Sequence, residues 1–454
     1  MIEGTFTERV ARIACQWQWE SLTQEQREIA AQCVLDWFGV ALRGSAEPVA
    51  GILWDDALGD GGDAVASVVG RGAKLSMPQA ALVNGAASHA LDYDDAHADI
   101  GHPSVAILPA LLAMAEARRA SGRSVLTAFV AGYEAAAMVG AAIGQDHYNR
   151  GFHTTATIGI FGAAVACAKL LGLPLDGVRR AIGIAATQAA GMKAMFGTMG
   201  KPFHAGRVAR DGLLAARLSA AGLTAADSIL DGKLGFLSVL GSGTNHLHET
   251  VEMPFALGKN LFKYHAACYL THAAINSAQV IARDQRFNPS DVQRVVVTAS
   301  TLIDDVCNIR QPETGLEMKF SIRYAVAAAL AGFDMGNPDT YSDENVREIS
   351  GLPLTERVTV NLVPGLPRSY ACVDVQMRSG EALTESADSN RPATDLEAQR
   401  HRLIEKFHQL HTRRLGREQR ERFVSAVFAL PECCDVGELF SLLNAQRNIM
   451  EEKE

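Results

Sequence analysis

The feature that most constrains this chain is a series of apolar helical segments built largely from alanine and glycine. "SVLTAFVAGYEAAAMVGAAIG" (124–144) and "TATIGIFGAAVACAKLLG" (155–172) are the clearest, and "QREIAAQCVLDWFGVALRG" (26–44) and "SVAILPALLAMAEARRASG" (104–122) repeat the theme. Their apolar residues recur at three- and four-residue intervals, which is helical periodicity. Small side chains let helix axes approach closely. The pattern, which runs from about residue 5 to 265, predicts a compact helical domain with buried central helices. Each run is interrupted by charge, so none reads as the roughly twenty-residue span that a membrane requires.

After about residue 285 the character changes. "VQRVVVTAS" (292–300), "RVTVNLV" (357–363) and "ACVDVQMRSG" (371–380) are β-branched and read as strands, with "PGLP" as a turn and "FSIRYAVAAALAGF" (320–333) as an intervening helix. The tail, "ATDLEAQRHRLIEKFHQLHTRRL" (393–415) and "REQRERFVSAVFAL" (417–430), returns to helix. The 454 residues allow two or three domains. The expectation is a mainly α protein with a smaller α+β domain: a discontinuous helical domain of residues 1–265 and 396–454, and an α+β domain of residues 266–395.

Net charge is −9, from 42 basic and 51 acidic residues. That disfavours nucleic acid and anionic membrane as partners, and an anionic substrate would need a locally basic pocket. The N-terminus, "MIEGTFTERV", lacks the apolar core of a secretory signal. The eight cysteines are scattered without a CxxC pair, the pattern of buried reduced thiols in a cytoplasmic protein.

Polar chemistry gathers in four segments. "LDYDDAHADIGHP" (91–103) carries Asp92, Asp94, Asp95, His97, Asp99 and His102. "HYNRGFHTTATIG" (147–159) carries His147, Tyr148, Arg150 and His153; "GTMGKPFHAGRVARDG" (197–212) carries Lys201, His204 and Arg207; "FKYHAACYLTH" (262–272) carries Lys263, His265, Cys268 and His272. In the third, Pro202 suits a first helical turn, and Lys201, His204 and Arg207 recur every three residues. A helix start with lysine and histidine suits a carboxylate or phosphate; a solvated basic face is the alternative. The first segment reads as a metal site, an acid/base site or a solvated acidic loop. An EF-hand needs glutamate at its twelfth position, which here is Pro103, and HExxH, GxSxG and GxxxxGK[ST] are absent. His153 alone reads as a satisfied core histidine, and Cys268 alone as buried filler.

In this order and at these separations, "LDYDDAH…GHPS", "RGFHTTATIGIFGAA", "AIGIAATQAAG…GKPFHAG" and "FKYHAACYLTHAAI" resemble the MmgE/PrpD family of 2-methylcitrate dehydratases, cis-aconitate decarboxylases and iminodisuccinate epimerases. The resemblance covers about residues 5–445. It implies a large helical domain built from both chain ends, an α+β lid, a homodimer, and a cleft acting on small di- or tricarboxylates with no metal or organic cofactor. Carried over by motif, the catalytic set is Asp92, His102, His153 and Lys201. His204 and Lys263 contact substrate, and Tyr148, Arg150 and Cys268 complete its binding set. Where the decarboxylases carry threonine and histidine, this chain has Ala96 and Cys268. The resemblance therefore implies a dehydratase-type lyase before a decarboxylase, with a dicarboxylate epimerase as the alternative.

Overall fold

The computed structural model describes residues 4–241 and 255–444; residues 1–3, 242–254 and 445–454, including both ends of the expected helical domain, lie outside the described residues. The helices that position the site are α1 (Gln24–Gly44), α2 (Met77–His89), α3 (Pro103–Ala117), α4 (Gly122–Ile143), α5 (Gly159–Leu170), α6 (Gly200–Ala220), α7 (His272–Ala282), α8 (Ile322–Leu330) and α9 (Leu396–His411). Helix α6 lies between α2 and α5, and α4 packs along α5.

Glycine makes these approaches possible. A Cβ on Gly206 of α6 would sit 2.1 Å from the Leu82 carbonyl oxygen of α2, and one on Gly132 of α4 would sit 2.4 Å from the Gly162 carbonyl oxygen of α5. The small-residue pattern is therefore a record of backbone-to-backbone packing. Helix α4 is long and apolar enough to cross a bilayer, yet it is almost wholly buried among its neighbours, as a core helix is.

A four-stranded sheet has the order β2–β1–β3–β4, where β1 is Val292–Ser300, β2 Val358–Val363, β3 Tyr370–Met377 and β4 Ala382–Asp388. Strands β1 and β2 are parallel, with Val295 opposite Val358, and their connection contains α8; β1/β3 and β3/β4 are antiparallel, pairing Val295 with Val375 and Val375 with Leu383. Burial alternates along β3, whose Ala371, Val373, Val375 and Met377 point inward, and α7 packs on β3 and β4. Strand β4 adds to the three strands read from the sequence. It is an edge strand with only Leu383 fully buried, so "ALTESAD" carries little apolar periodicity to betray it.

Two apolar cores result. One draws on residues 6–262 and 403–443, so the α9 region packs with the N-terminal helices; the other draws on residues 266–383 and takes in Val40, Leu91 and Tyr93. Leu91 and Tyr93 flank Asp92, so the acidic stretch is stitched into the second core from both sides.

Gly206→Ala should test the close approach. Overpacking against a backbone carbonyl is expected to cost about 1–3 kcal/mol, read as a lower urea midpoint at unchanged m-value.

Candidate active site

The acidic stretch joins the end of α2 to the start of α3, and most of it is inside the protein: Asp92, Asp94 and Asp95 are 2%, 1% and 0% exposed. It is not a solvated loop. Asp95 accepts from the Ser104 amide (3.2 Å) and hydroxyl (2.6 Å) in the first turn of α3, satisfying an N–H that the helix leaves open. Burial, with Asp36 and Asp94 nearby, raises its carboxyl to about 7 despite the Ser104 bonds. Asp94 lies 2.9 Å from His89 Nδ1 and 2.8 Å from His102 Nδ1. His102 Nδ1 is also 2.8 Å from the Asp95 carbonyl oxygen, so that nitrogen donates and Nε2 is left toward Asp92, 3.9 Å away.

Asp92 has a backbone φ of 51°, in the left-handed region that aspartate tolerates better than most side chains. Its Oδ1 receives two ammonium groups, Lys263 at 2.6 Å and Lys201 at 2.8 Å. Burial alone would raise this carboxyl; Lys201 and Lys263 outweigh it and hold the group well below the usual carboxylate range. Asp92 thus stays ionised and anchors both ammoniums. Lys201 sits in the first turn of α6, over the rings of Phe196 (5.2 Å) and Phe320 (4.9 Å), so its charge is held at the cavity rather than in bulk water.

His153 precedes the short turn Thr154–Thr157 and is 2% exposed. Its Nδ1 is 3.0 Å from His204 Nδ1 on α6, and its Nε2 has no partner. Burial, reinforced by His89, Lys201 and His204, holds its pKa well below that of free imidazole. His204 is lowered to about 4, by burial and then Arg207. The pair is neutral near pH 7. One of the two Nδ1 atoms must donate, and if that is His153's, its free Nε2 is a bare base.

These groups meet at a cavity of about 330 Å³, the lower end of the ~300–1,000 Å³ typical of ligand sites. Asp92, His102, His153 and Lys201 form its polar side; Tyr148, Phe196, Cys268 and Val306 wall it, and Tyr269, Arg368, Ser369 and Asn390 come from the second half of the chain. Of the residues assigned a role in the sequence, Asp92, His102, Tyr148, His153, Lys201 and Cys268 line the cavity, with Ala96 and His97 of the acidic stretch beside them. His204 and Lys263, expected to contact substrate, do not line it; they stand behind it, bonded to His153 and Asp92.

Arg150 is a correction. Its guanidinium donates to the carbonyls of Leu240 (3.2 Å) and Gly241 (2.7 Å), closing the end of the Phe236–Leu240 helix, and it does not line the cavity. The cavity's arginine is Arg368, whose guanidinium lies 5.4 Å from the Tyr148 ring centre. It directly follows the "PGLP" turn, and an arginine between a turn and a strand is the one local signal it gives. His89 was also missed, because it ends an otherwise small and apolar helix; it is buried and its Nε2 has no partner.

His89, Asp92, Asp94 and His102 each offer a ligand atom within 4.8 Å of the others, the one arrangement among the described residues that could hold a metal. The donor set is already neutralised by the protein: two ammoniums occupy Asp92 and an imidazole N–H faces Asp94. Asp92 Oδ2 and His89 Nε2 have no partner, but an ion held there would face the two ammoniums on Oδ1, so these residues fit a metal poorly.

Histidines, one lysine, one arginine and the Asp92 carboxylate thus share a cavity set where two cores meet, the arrangement of an enzyme-like polar site. The chain belongs to the MmgE/PrpD family: residues 8–248 match the MmgE/PrpD N-terminal domain and residues 265–430 the MmgE/PrpD C-terminal domain. Similar proteins include cis-aconitate decarboxylases of Aspergillus terreus (28% identical over 409 residues, 83% of each chain) and Mus musculus (28% over 400 residues, 82% of this chain and 79% of the relative). That of Homo sapiens is 28% identical over 387 residues, 82% of this chain and 80% of the relative.

Asp95 generates a stability prediction. Its carboxyl is raised in the folded chain to about 7, whereas the unfolded group releases its proton near ~4. Between these values the folded state holds a proton the unfolded state has lost, so rising pH costs stability, by up to about 1.4 kcal/mol per pH unit. Asp95→Asn should flatten the fall in urea midpoint between pH 5 and pH 7.

Proposed function

We propose that the chain is a lyase that dehydrates a small di- or tricarboxylate without a metal or organic cofactor. The observation that carries the reading is the unpartnered Nε2 of buried, neutral His153 in a cavity it shares with Lys201 and Arg368. The imidazole takes the proton from the carbon next to a carboxylate. Lys201 and Arg368 bind carboxylates and stabilise the negative charge that grows as that proton leaves, which preorganised cations do best in a dry site. His102, flanked by Asp92 and Asp94, is placed to give a proton to the departing hydroxide. The electron pair of the broken C–H bond becomes the new C=C bond and the C–O pair leaves with the hydroxide, so water and an unsaturated polycarboxylate are formed.

The decarboxylase relatives support lyase chemistry on a polycarboxylate. Ala96 and Cys268 line the cavity and supply neither a hydroxyl nor an imidazole there, which favours dehydration over decarboxylation. The two cavity imidazoles also suit an epimerase, one removing and the other returning a proton. The reading extends to the assembly: the protein is a homodimer joined through its helical domain, and light scattering at micromolar concentration should give twice the chain mass.

The deciding experiment incubates a panel of di- and tricarboxylates in heavy water and follows mass and NMR. Loss of water supports the dehydratase, exchange with inversion the epimerase, and robust itaconate from cis-aconitate overturns both. His153→Gln should retain binding but slow proton exchange by about 10²–10⁴-fold, while Lys201→Ala should chiefly weaken binding. Wild-type exchange in His153→Gln would remove His153 as the base. Turnover should survive dialysis against a strong chelator.

A further inference from the structure

Three consecutive backbone carbonyls around Asp92 each accept a bond from a different buried lysine. Lys319 Nζ donates to the Leu91 oxygen at 2.7 Å, Lys263 Nζ to the Asp92 oxygen at 2.8 Å, and Lys406 Nζ to the Tyr93 oxygen at 2.6 Å. The lysines are 5%, 0% and 4% exposed. They come from distant parts of the chain: Lys319 lies just before α8, Lys263 where the chain passes from the first core to the second, and Lys406 on α9.

Lysine is among the residues least often fully buried, and an interior ammonium is retained only where it has strong partners. Lys263 has the Asp92 carboxylate. Lys406 has Asp36 of α1 at 2.7 Å, and it also donates to the Lys263 carbonyl at 3.0 Å, so one ammonium ties the backbone beside Asp92 to the backbone of that residue's own partner. Lys319 has no carboxylate within ion-pair distance among the described residues; its bond goes to Leu91, with the Tyr341 ring centre 5.6 Å away. A neutral side chain would fill these sites at lower electrostatic cost. What the lysines supply is donors aimed at one strained tripeptide, whose central residue is held at φ 51°. Left-handed backbone costs about 1–2 kcal/mol for a residue with a side chain, and it persists only where the surroundings over-determine it.

We propose that Lys319 and Lys406 are positioning residues for the reaction: by holding the carbonyls on either side of Asp92 they fix its left-handed backbone, and so aim its carboxylate at Lys201, without touching substrate themselves. The proposal rests on the reading that the cavity at Asp92 is the reaction site. It assigns the α9 segment, remote in sequence, a part in setting the geometry, and it ties the loop to both cores at once.

The test uses the full chain with Lys319→Met, Lys406→Met and the corresponding Lys→Arg variants, assayed on the best substrate of the polycarboxylate panel, with crystal structures of each. A misplacement of about 1 Å can cost on the order of 10²-fold in rate. The Met variants should therefore lose kcat by about ten- to hundredfold with KM within about threefold, the Arg variants should recover part of it, and Asp92 should leave the left-handed region in the Met structures. Should a Met variant fail to fold, Lys319→Gln and Lys406→Gln, which keep an amide donor and lose the charge, carry the same measurements. Wild-type kcat in the folded variants overturns the proposal. So does a parallel loss of binding, melting temperature and turnover that arginine does not relieve, the mark of a purely structural role. If the wild type turns over no polycarboxylate, the reading of the cavity has failed. The positioning claim is then decided by the crystal structures alone: Asp92 leaving φ near 51° upholds it, and Asp92 unmoved sinks it.

Discussion

One carboxylate organises the centre of this molecule. Asp92 is buried, strained at its backbone and bonded through a single oxygen to Lys201 and Lys263. A carboxylate with no cation at this depth would take up a proton, and two ammoniums without it would repel each other. Each charge is therefore stable only because the others are in place. Removing one partner of such a set is typically worth about 3–5 kcal/mol, because the remaining charge is stranded. The arrangement also fixes geometry, since the oxygen that anchors Lys201 decides where that ammonium stands at the cavity.

Around this pair the two cores have different tasks. The helical core brings α2, α5 and α6 close enough, through glycine, that His153 and His204 face each other across 3.0 Å while Lys201 sits one turn from His204. The second core supplies the other wall: Cys268, Val306, Arg368, Ser369 and Asn390. The histidines and the lysine of the cavity thus come from the first, and the facing wall with one arginine from the second.

The same residues show what local pattern can and cannot carry. Asp92, His102, His153, Lys201, His204 and Lys263 were legible because they stand in four dense polar segments within an otherwise apolar chain, and all six gather at the cavity or directly behind it. Arg150 and Arg368 were exchanged. Both are arginines near loops, and nothing local says that one will close a short helix while the other faces a cavity beside Tyr148. Strand β4 escaped because an edge strand with one buried residue has almost no period-two signal.

By itself, then, the sequence determined most of the helices, three strands of the sheet, the close packing of the small-residue helices and most of the polar groups that meet at the cavity, since helical period, strand alternation and side-chain chemistry are properties of neighbours along the chain. Tertiary structure alone decided which cation meets which oxygen. The Lys263–Asp92 bond spans 171 residues, the Lys319–Leu91 bond 228 and the Lys406–Tyr93 bond 313. No periodicity reaches over such separations. A buried lysine in isolation reads as an error of pattern, and it becomes intelligible only when packing has removed water and left a backbone carbonyl as the partner within reach.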